Sequence, residues 1–502
     1  MGSISAKNRE IPNKRKDVSD LDKHNEEKFT GDARKDCAAL KIIFEDCFDL
    51  IVREIEFAGR RAFVFVLDGM CDEIKITESI IKPLTDERNT PCDKPFEEIR
   101  RTVFKGTNMR LSETPEKAAN DIISGNLILI VDGEKTALSF PFQGFPKRAV
   151  NEPQSEQNER GSQEGFCDNF KDNVTLLRRK IRSPKLKIKQ LTLGRTSNTP
   201  VLICYISDKV TDELLQSVTK RLKKIDLEAI LGSGYLRPFL DNRRPSFFTD
   251  TGITERPDKF AAMLLEGRVG IICDGTPFAL IVPYLFVDYF HAPDDYLSST
   301  YYAVFMRILR IICFIIASTL PGAFVAISLF HPEIMPSDIM YGISAATGKT
   351  PFPIMIEALT IHFIYEIVRE AGLRMPRSVG HAVSIVGALV IGDAAVTAGL
   401  IAAPMLIVVA LTAISSSVIS KLHEPVAILR LGFIVIGGLT GLYGIMLGIG
   451  IMITDICSVS PYGIPFSAPV SPFVKRAQRD AIIRRSWTRL KNGGTLIGEM
   501  KF

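Results

Sequence analysis

Between Pro353 and Gly372 a largely apolar stretch is interrupted by Glu357, His362, Glu366, Arg369 and Glu370. On a helix, at about 100° per residue, His362, Glu366 and Glu370 form one stripe, with Arg369 beside it and Glu357 nearly opposite. Ionisable side chains at membrane depth are costly unless they face protein or water. The stripe therefore reads as the lining of a hydrated pathway whose carboxylates could hold cations. The same pattern fits an amphipathic helix lying among headgroups, and the residues alone leave both readings open. His381 and Asp393 place two more ionisable groups inside apolar runs, where they are candidates for gating.

Catalytic chemistry is not indicated elsewhere. Asp132-Gly133 and Asp274-Gly275 carry the ordinary residues of a tight turn, and Gly232-Ser-Gly234 lacks the spacing and the lysine of a phosphate loop. Nine cysteines without a Cys-x-x-Cys pair, and six histidines that do not cluster with them, give neither a disulfide framework nor a metal site. Neither enzyme activity nor a cofactor is expected.

Long apolar runs must hold the stripe in place. Ile311 to Phe330, Ser378 to Ser420 and Leu431 to Thr454 contain one ionised side chain between them, Asp393. About 20 apolar residues cross a hydrocarbon core as a helix. The first and third runs thus predict one span each, and the second predicts two, joined by a very short turn as an antiparallel hairpin. The mean hydropathy of +0.14 averages this half with a charged, soluble half. Pro321-Gly322 predicts a kink in the first span. Ala388 with Gly392, Ala395 with Gly399, Gly437 with Gly441 and Gly444 with Gly448 set small residues one turn apart, as close helix packing in lipid requires.

Charge outside the runs sets orientation. Arg307 and Arg310 precede the first span, and from Lys475 to Phe502 eight Lys or Arg stand against Asp480 and Glu499. Both flanks are expected at the cytoplasmic face, where the basic tail with Trp487 would meet anionic lipid. A basic tail beside a span, without interleaved aromatics, does not read as binding nucleic acid. Four spans return both ends to one side. Counting the stripe-bearing helix as a fifth would separate them, so it is expected to re-enter or lie flat unless one span is miscounted.

An internal repeat organises the soluble half. Glu113 to Gly125, Asn126 to Gly133 and Thr136-Ala-Leu reappear as Glu255 to Gly267, Arg268 to Gly275 and Phe278-Ala-Leu. Each copy reads as a capped helix, a buried strand, an Asp-Gly turn and a second strand, with Thr254 as the cap of the later helix and Pro257 in its first turn. Phe63 to Gly69 with Asp72-Glu73 likewise matches Leu202 to Asp208 with Asp212-Glu213. Two tandem, related α/β subdomains are predicted at 37–145 and 190–275, joined by 146–189, whose composition is that of a linker. Residues 1–36 are expected to form a disordered polar tail without the features of a signal peptide. A helical membrane domain of about four to five spans is expected over 276–457, with the basic cytoplasmic tail over 458–502.

Four blocks carry a family resemblance: Glu152-Pro153 to Arg160-Gly161 with Glu164-Gly165-Phe166; Thr254-Glu255-Arg256-Pro257-Asp258; Pro351-Phe352-Pro353 with Glu357-Ala358; and Glu366 to Pro376, running on to Ser384 to Gly392 and Ala394-Ala-Val. Together they are similar to the A subunit of GerA-family spore germination receptors, over roughly residues 40 to 470. The chain departs from the family pattern at Phe248-Thr249-Asp250, where Phe-Pro-Gln is usual, and at His381 and Asp393, where glutamine is usual.

The resemblance implies a subunit of a nutrient receptor in the spore inner membrane, with its soluble domain and tail on the core side. It implies a complex with a transporter-like B subunit that binds the germinant and a C subunit that is a lipoprotein. Self-association as a ring would form a germinant-gated cation channel. Arg160, Glu164, Glu255, Arg256 and Asp258 become candidates for a subdomain or subunit interface, with Arg160 expected to pair with a carboxylate. Other readings are a transporter or permease component, a membrane-anchored enzyme, and a membrane-anchored signalling scaffold without its own pore. Buried charge favours a transporter, whereas too few spans and no inverted repeat among them count against one.

Overall fold

The computed structural model describes residues 28–486 and 497–500, apart from 58, 86–95, 97–98, 100–108, 145–151, 154, 157, 159, 242–245, 376–391 and 476. His381, Trp487, the tail before residue 28 and the run from 378 to 391 lie outside the described residues.

Two five-stranded antiparallel sheets form the soluble half. The first holds β1 (Leu50–Phe57), β2 (Arg60–Leu67), β3 (Arg110–Ser112), β4 (Asn126–Val131) and β5 (Ala137–Pro141), in the order β1-β2-β4-β5-β3. The second holds β6 (Leu186–Leu193), β7 (Thr199–Ile206), β8 (Gly252–Thr254), β9 (Val269–Cys273) and β10 (Ala279–Val282), in the order β6-β7-β9-β10-β8. The buried strands of the repeated motif, β4 and β9, take the same central place, with Val64 opposite Leu129 and Ile203 opposite Ile271.

Helices cover the sheets in the same pattern. On the first sheet, α1 (Ala33–Ile43) and α2 (Pro115–Ile123) bury Leu40 and Ile122 against Ile128, and residues 73–84 cover the opposite face. On the second, α3 (Phe170–Lys180) buries Leu177 on one face. There α4 (Asp212–Lys223) covers the other face, and α5 (Pro257–Leu265) adds Phe260 beside α3. Since α3 lies in the segment expected to be a linker, and β10 lies beyond residue 275, the second subdomain extends past both expected bounds. Composition misled there because α3 is polar on its outer side.

Both repeats close with one contact. Asp132 Oδ1 accepts the first N–H of α1, from Ala33, at 3.1 Å, and Asp274 Oδ1 accepts the first N–H of α3, from Phe170, at 3.3 Å. The Asp-Gly turns thus place a carboxylate at the positive end of a helix and satisfy an N–H that the helix leaves free. A buried strut then joins the two repeats: Arg178 on α3 forks onto Asp49 at 2.8 and 3.0 Å, with both side chains almost fully buried.

Among the described residues five helices of more than ten residues follow: α6 (Thr300–Phe330), α7 (Ser337–Thr347), α8 (Ile354–Arg374), α9 (Ala403–Val418) and α10 (His423–Ser458). By length and composition, α6 and the stretch Ser420–Ser458 could each cross a membrane. The helix α6 continues through Pro321, and a Cβ on Gly322 or on Gly437 would strike the backbone of the other's helix. Close packing by small residues is realised there.

The third apolar run is not one span. At Gly441 the backbone of α10 turns to φ 66°, ψ −153°, which glycine tolerates and other residues do not. Gly448 lies against Phe433, and Gly437 against Ile445. In a straight helix the first of these pairs would be about 22 Å apart, so the chain doubles back and α10 is a helical hairpin. Its two feet meet the soluble half: Lys421 pairs with Glu156, and Asp455 accepts from Ser246 Oγ at 2.9 Å and Phe247 N at 3.0 Å. Its tip at Gly441 meets Phe330, the far end of α6. This is the miscounted span.

The stripe-bearing α8 runs the depth of the bundle. Met355 lies against Gly438 near the hairpin tip, and Glu366 contacts Arg430 and His423 nearer the feet.

The C-terminal segment also departs from expectation. Ala468, Ala477, Ile497 and Met500 complete the core beneath α4, and buried Arg484 donates to the carbonyls of Asp295 and Ser298. Arg484 is therefore not a lipid-facing charge.

Replacing Arg178 with Met should cost about 3–5 kcal/mol, because it strands the buried Asp49 carboxylate. The double change Arg178→Met with Asp49→Leu should recover most of that loss. Urea unfolding of the purified chain checks both.

Candidate functional site: the junction of the soluble half and the apolar helices

The motif-bearing segment supplies the carboxylate around which the junction is built. Glu156 Oε1 lies 3.0 Å from Lys259 Nζ on α5 and 2.5 Å from Lys421 Nζ in the turn between α9 and α10. Its Oε2 accepts the Thr254 hydroxyl. Burial alone would raise the pKa of this carboxyl, but the charges of Lys259 and Lys421 and the bonds from Lys421 and Thr254 outweigh it and hold it down at about 2. Three chain segments far apart in sequence thus share one ionised group.

The neighbouring motif residues tie the segment to α5. Arg256, 1% exposed, forks onto Asp258 at 3.0 and 2.6 Å and also donates to the carbonyls of Glu156 (3.3 Å) and Ser162 (2.9 Å). Glu255 accepts from Ser155 N at 3.0 Å, and its own carbonyl accepts from Phe166 N at 2.7 Å. Glu164 pairs with Arg179 and Lys180 of α3 at 3.1 and 2.9 Å. One expectation is corrected. The cap position of α5 is Arg256, not Thr254, whose hydroxyl instead accepts from Arg256 N and donates to Glu156. Arg160 is exposed in the single chain, and Glu156 is the group of this segment that reaches Lys259 and Lys421.

Inside the bundle the polar stripe is engaged. Glu366 meets Arg430 Nη2 at 2.5 Å, Arg369 Nε at 3.0 Å and His423 Nε2 at 3.4 Å, while Arg430 is 1% exposed and stacks over Tyr365. His362 is fully buried, with Nδ1 2.9 Å from the Ala358 carbonyl. Glu357, also buried, accepts the N–H of Ala402 at 2.6 Å and so ties the start of α8 to the start of α9. Glu370 is exposed and pairs with Arg374 at 2.8 Å. The structure thus brings His362, Glu366, Arg430 and His423 together and leaves Glu357 and Glu370 at other levels. Asp393 is exposed on a short helical stretch over 392–397.

Arg430, His423, Lys421, Lys259 and Glu156 were missed in the sequence. Starting the apolar run at Leu431 left Arg430 outside it, whereas α10 begins at His423 and carries Arg430 two turns inside. Helical periodicity extended backward from Leu431 would have put His423 and Arg430 on one face, seven residues apart.

A repeated α/β region fastened by buried charge to apolar helices defines a membrane-associated protein whose two halves are built as one unit. Residues 38–494 match the family described as Bacillus/Clostridium GerA spore germination protein. The chain is 37% identical to spore germination protein KA of Bacillus subtilis (strain 168), over 88% of this chain and 82% of that one. It is 33% identical to the uncharacterized membrane protein YfkQ of the same organism, over 95% and 94% of the two chains. Among solved structures it is similar to the N-terminal domain of the A subunit of the Bacillus megaterium spore germinant receptor GerK3, at 27% identity and a TM-score of 0.42, over 52% of this chain and 98% of that one. The chain belongs to the GerA family of spore germination proteins.

Glu156→Gln should destabilise the protein by about 3 kcal/mol near neutral pH, because it strands Lys259 and Lys421. The folded pKa lies below the unfolded one, so the Glu156 contribution is full above about pH 4.3 and is lost as pH falls toward about 2. Unfolding measured from pH 8 to pH 3 should show a constant gap between wild type and variant down to about pH 5, narrowing below it.

Proposed function

We propose that the chain is the A subunit of a nutrient germinant receptor in the inner membrane of an endospore, with its soluble half and C-terminal segment on the core side. It assembles with a transporter-like B subunit that binds the germinant and with a lipoprotein C subunit. Copies of it form a ring that opens to release monovalent cations. The observation that carries this reading is the cluster of Glu366, Arg430, His423 and His362 within otherwise apolar helices, since ionisable groups at that depth mark a hydrated path or a moving element. Both hairpin feet on the soluble side support the orientation. Exposed Arg485 offers that face a contact for anionic lipid.

A signalling scaffold without its own pore is the second reading, and one observation favours it. Glu366 is already engaged by Arg430, Arg369 and His423 within a single chain, so it presents no bare carboxylate.

Reconstitution of the purified three-subunit complex in liposomes separates the two. Germinant should evoke a cation current, and Glu366→Gln should lower conductance or cation preference at unchanged abundance and germinant binding. A complex that binds germinant without passing current leaves the scaffold. Equal current and ion preference in wild type and Glu366→Gln remove α8 from the pathway.

A further inference from the structure

The soluble half holds the helices at three places, and the three attachments differ in kind. At the base of α6, Asp295 is 2% exposed and sits between Arg307 at 3.3 Å and Arg310 at 2.7 Å, while Arg307 also reaches Asp480 at 3.1 Å. That base is fixed by several buried charges. At the α9–α10 turn the charge contact is one oxygen of Glu156, which takes Lys421 from the turn and Lys259 from α5, beside the apolar cluster that Ile419 and Leu422 share with Phe248 and Phe290. Lys421 remains 30% exposed, whereas Lys259 is 8% exposed. At the other foot of the hairpin Asp455 accepts hydrogen bonds from Ser246 and Phe247, and Ile456 and Val459 join the apolar cluster that holds Phe248.

We infer that Glu156 is a positioning residue: through Lys421 it passes movement of the second subdomain to the hairpin His423–Ser458, which pivots at Gly441. The first limb of the hairpin is continuous helix from His423 to Gly441, so a displaced foot carries the limb with it. His423 and Arg430, the partners of Glu366, ride on that limb, and Arg430 lies about 14 Å from the foot. A shift at Lys421 therefore alters the Glu366 cluster without any contact between that cluster and the soluble half. Protonation is not the trigger, because the lysines keep the Glu156 carboxyl ionised well below physiological pH. Lys259 provides an internal control. It touches the same oxygen, but it belongs to the soluble half and makes no link across the junction.

This inference rests on the chain being a subunit of a germinant-gated channel. The test uses the full receptor complex in liposomes, with ion release followed over a germinant concentration series and subunit amounts measured by immunoblot. Lys421→Gln should raise the germinant concentration for half-maximal release by about tenfold or abolish the response, Lys421→Arg should stay within about twofold of wild type, and Lys259→Gln, which loosens Glu156 without breaking the link across the junction, should shift it clearly less than Lys421→Gln. Equal shifts for Lys421→Gln and Lys259→Gln, or no shift for Lys421→Gln, would overturn it.

A second measurement is independent of abundance. In the double variant Glu156→Cys with Lys421→Cys, release should be weak until a short bis-maleimide joins the two positions and restores it in the same preparation. Cross-linking that leaves release weak overturns the inference. A wild-type complex that passes no current defeats the channel reading itself, whereas a conducting wild type with an unshifted Lys421→Gln defeats only this inference.

Discussion

A carboxylate taken out of water must be paired, and in this protein that requirement joins the two halves. Glu156 belongs to a polar segment with little apolar surface of its own, so packing cannot hold it at the junction. What holds it there is that Lys259 and Lys421, both largely buried, would otherwise be stranded. The segment is ordered because its charge is needed elsewhere. The same logic recurs at the base of α6, where Asp295 and Asp480 meet Arg307, and between the repeats, where Asp49 meets Arg178. Apolar burial builds each sheet and each helix pair, and where the two halves meet buried ion pairs act beside the apolar cluster of Phe248, Phe290, Phe314 and Leu422.

Within the helices the balance of charge matters more than its presence. One carboxylate, Glu366, faces two guanidinium groups and an imidazole, and Arg430 stacks on Tyr365. Such a cluster is stable in one arrangement of α8 and α10 and poor in most others. Cation–π stacking offsets part of the cost of burying Arg430, and the rest depends on Glu366 staying close. A bundle built this way has few intermediate arrangements, which suits an element with two discrete states.

Local features were legible in the sequence, and distant pairings were not. The repeated helix, strand and Asp-Gly turn predicted the common strand order because each motif encodes its own turn and its own alternation of buried positions. The stripe of His362 and Glu366 followed from helical spacing alone. Glu156 did not stand out, because nothing near it marks a carboxylate whose lysine partner lies 103 residues away. Nor did the reversal at Gly441, since glycine at that spacing also suits helix packing. The contacts of Gly448 with Phe433 and of Gly437 with Ile445, with the positive φ of Gly441, distinguish the two roles.

The Gly441 reversal bears on how the chain enters its membrane. Each limb of the hairpin is about 26 Å long, slightly short of a typical hydrocarbon core of about 30 Å. One limb carries Arg430 and the other ends at Asp455. Neither is a strong insertion signal when it emerges alone during synthesis. The two are most favourably inserted together, as a paired unit, after α8 is already in place to receive Arg430 with Glu366. Order of emergence thus becomes part of the design, since the polar helix must precede the hairpin whose charge it neutralises.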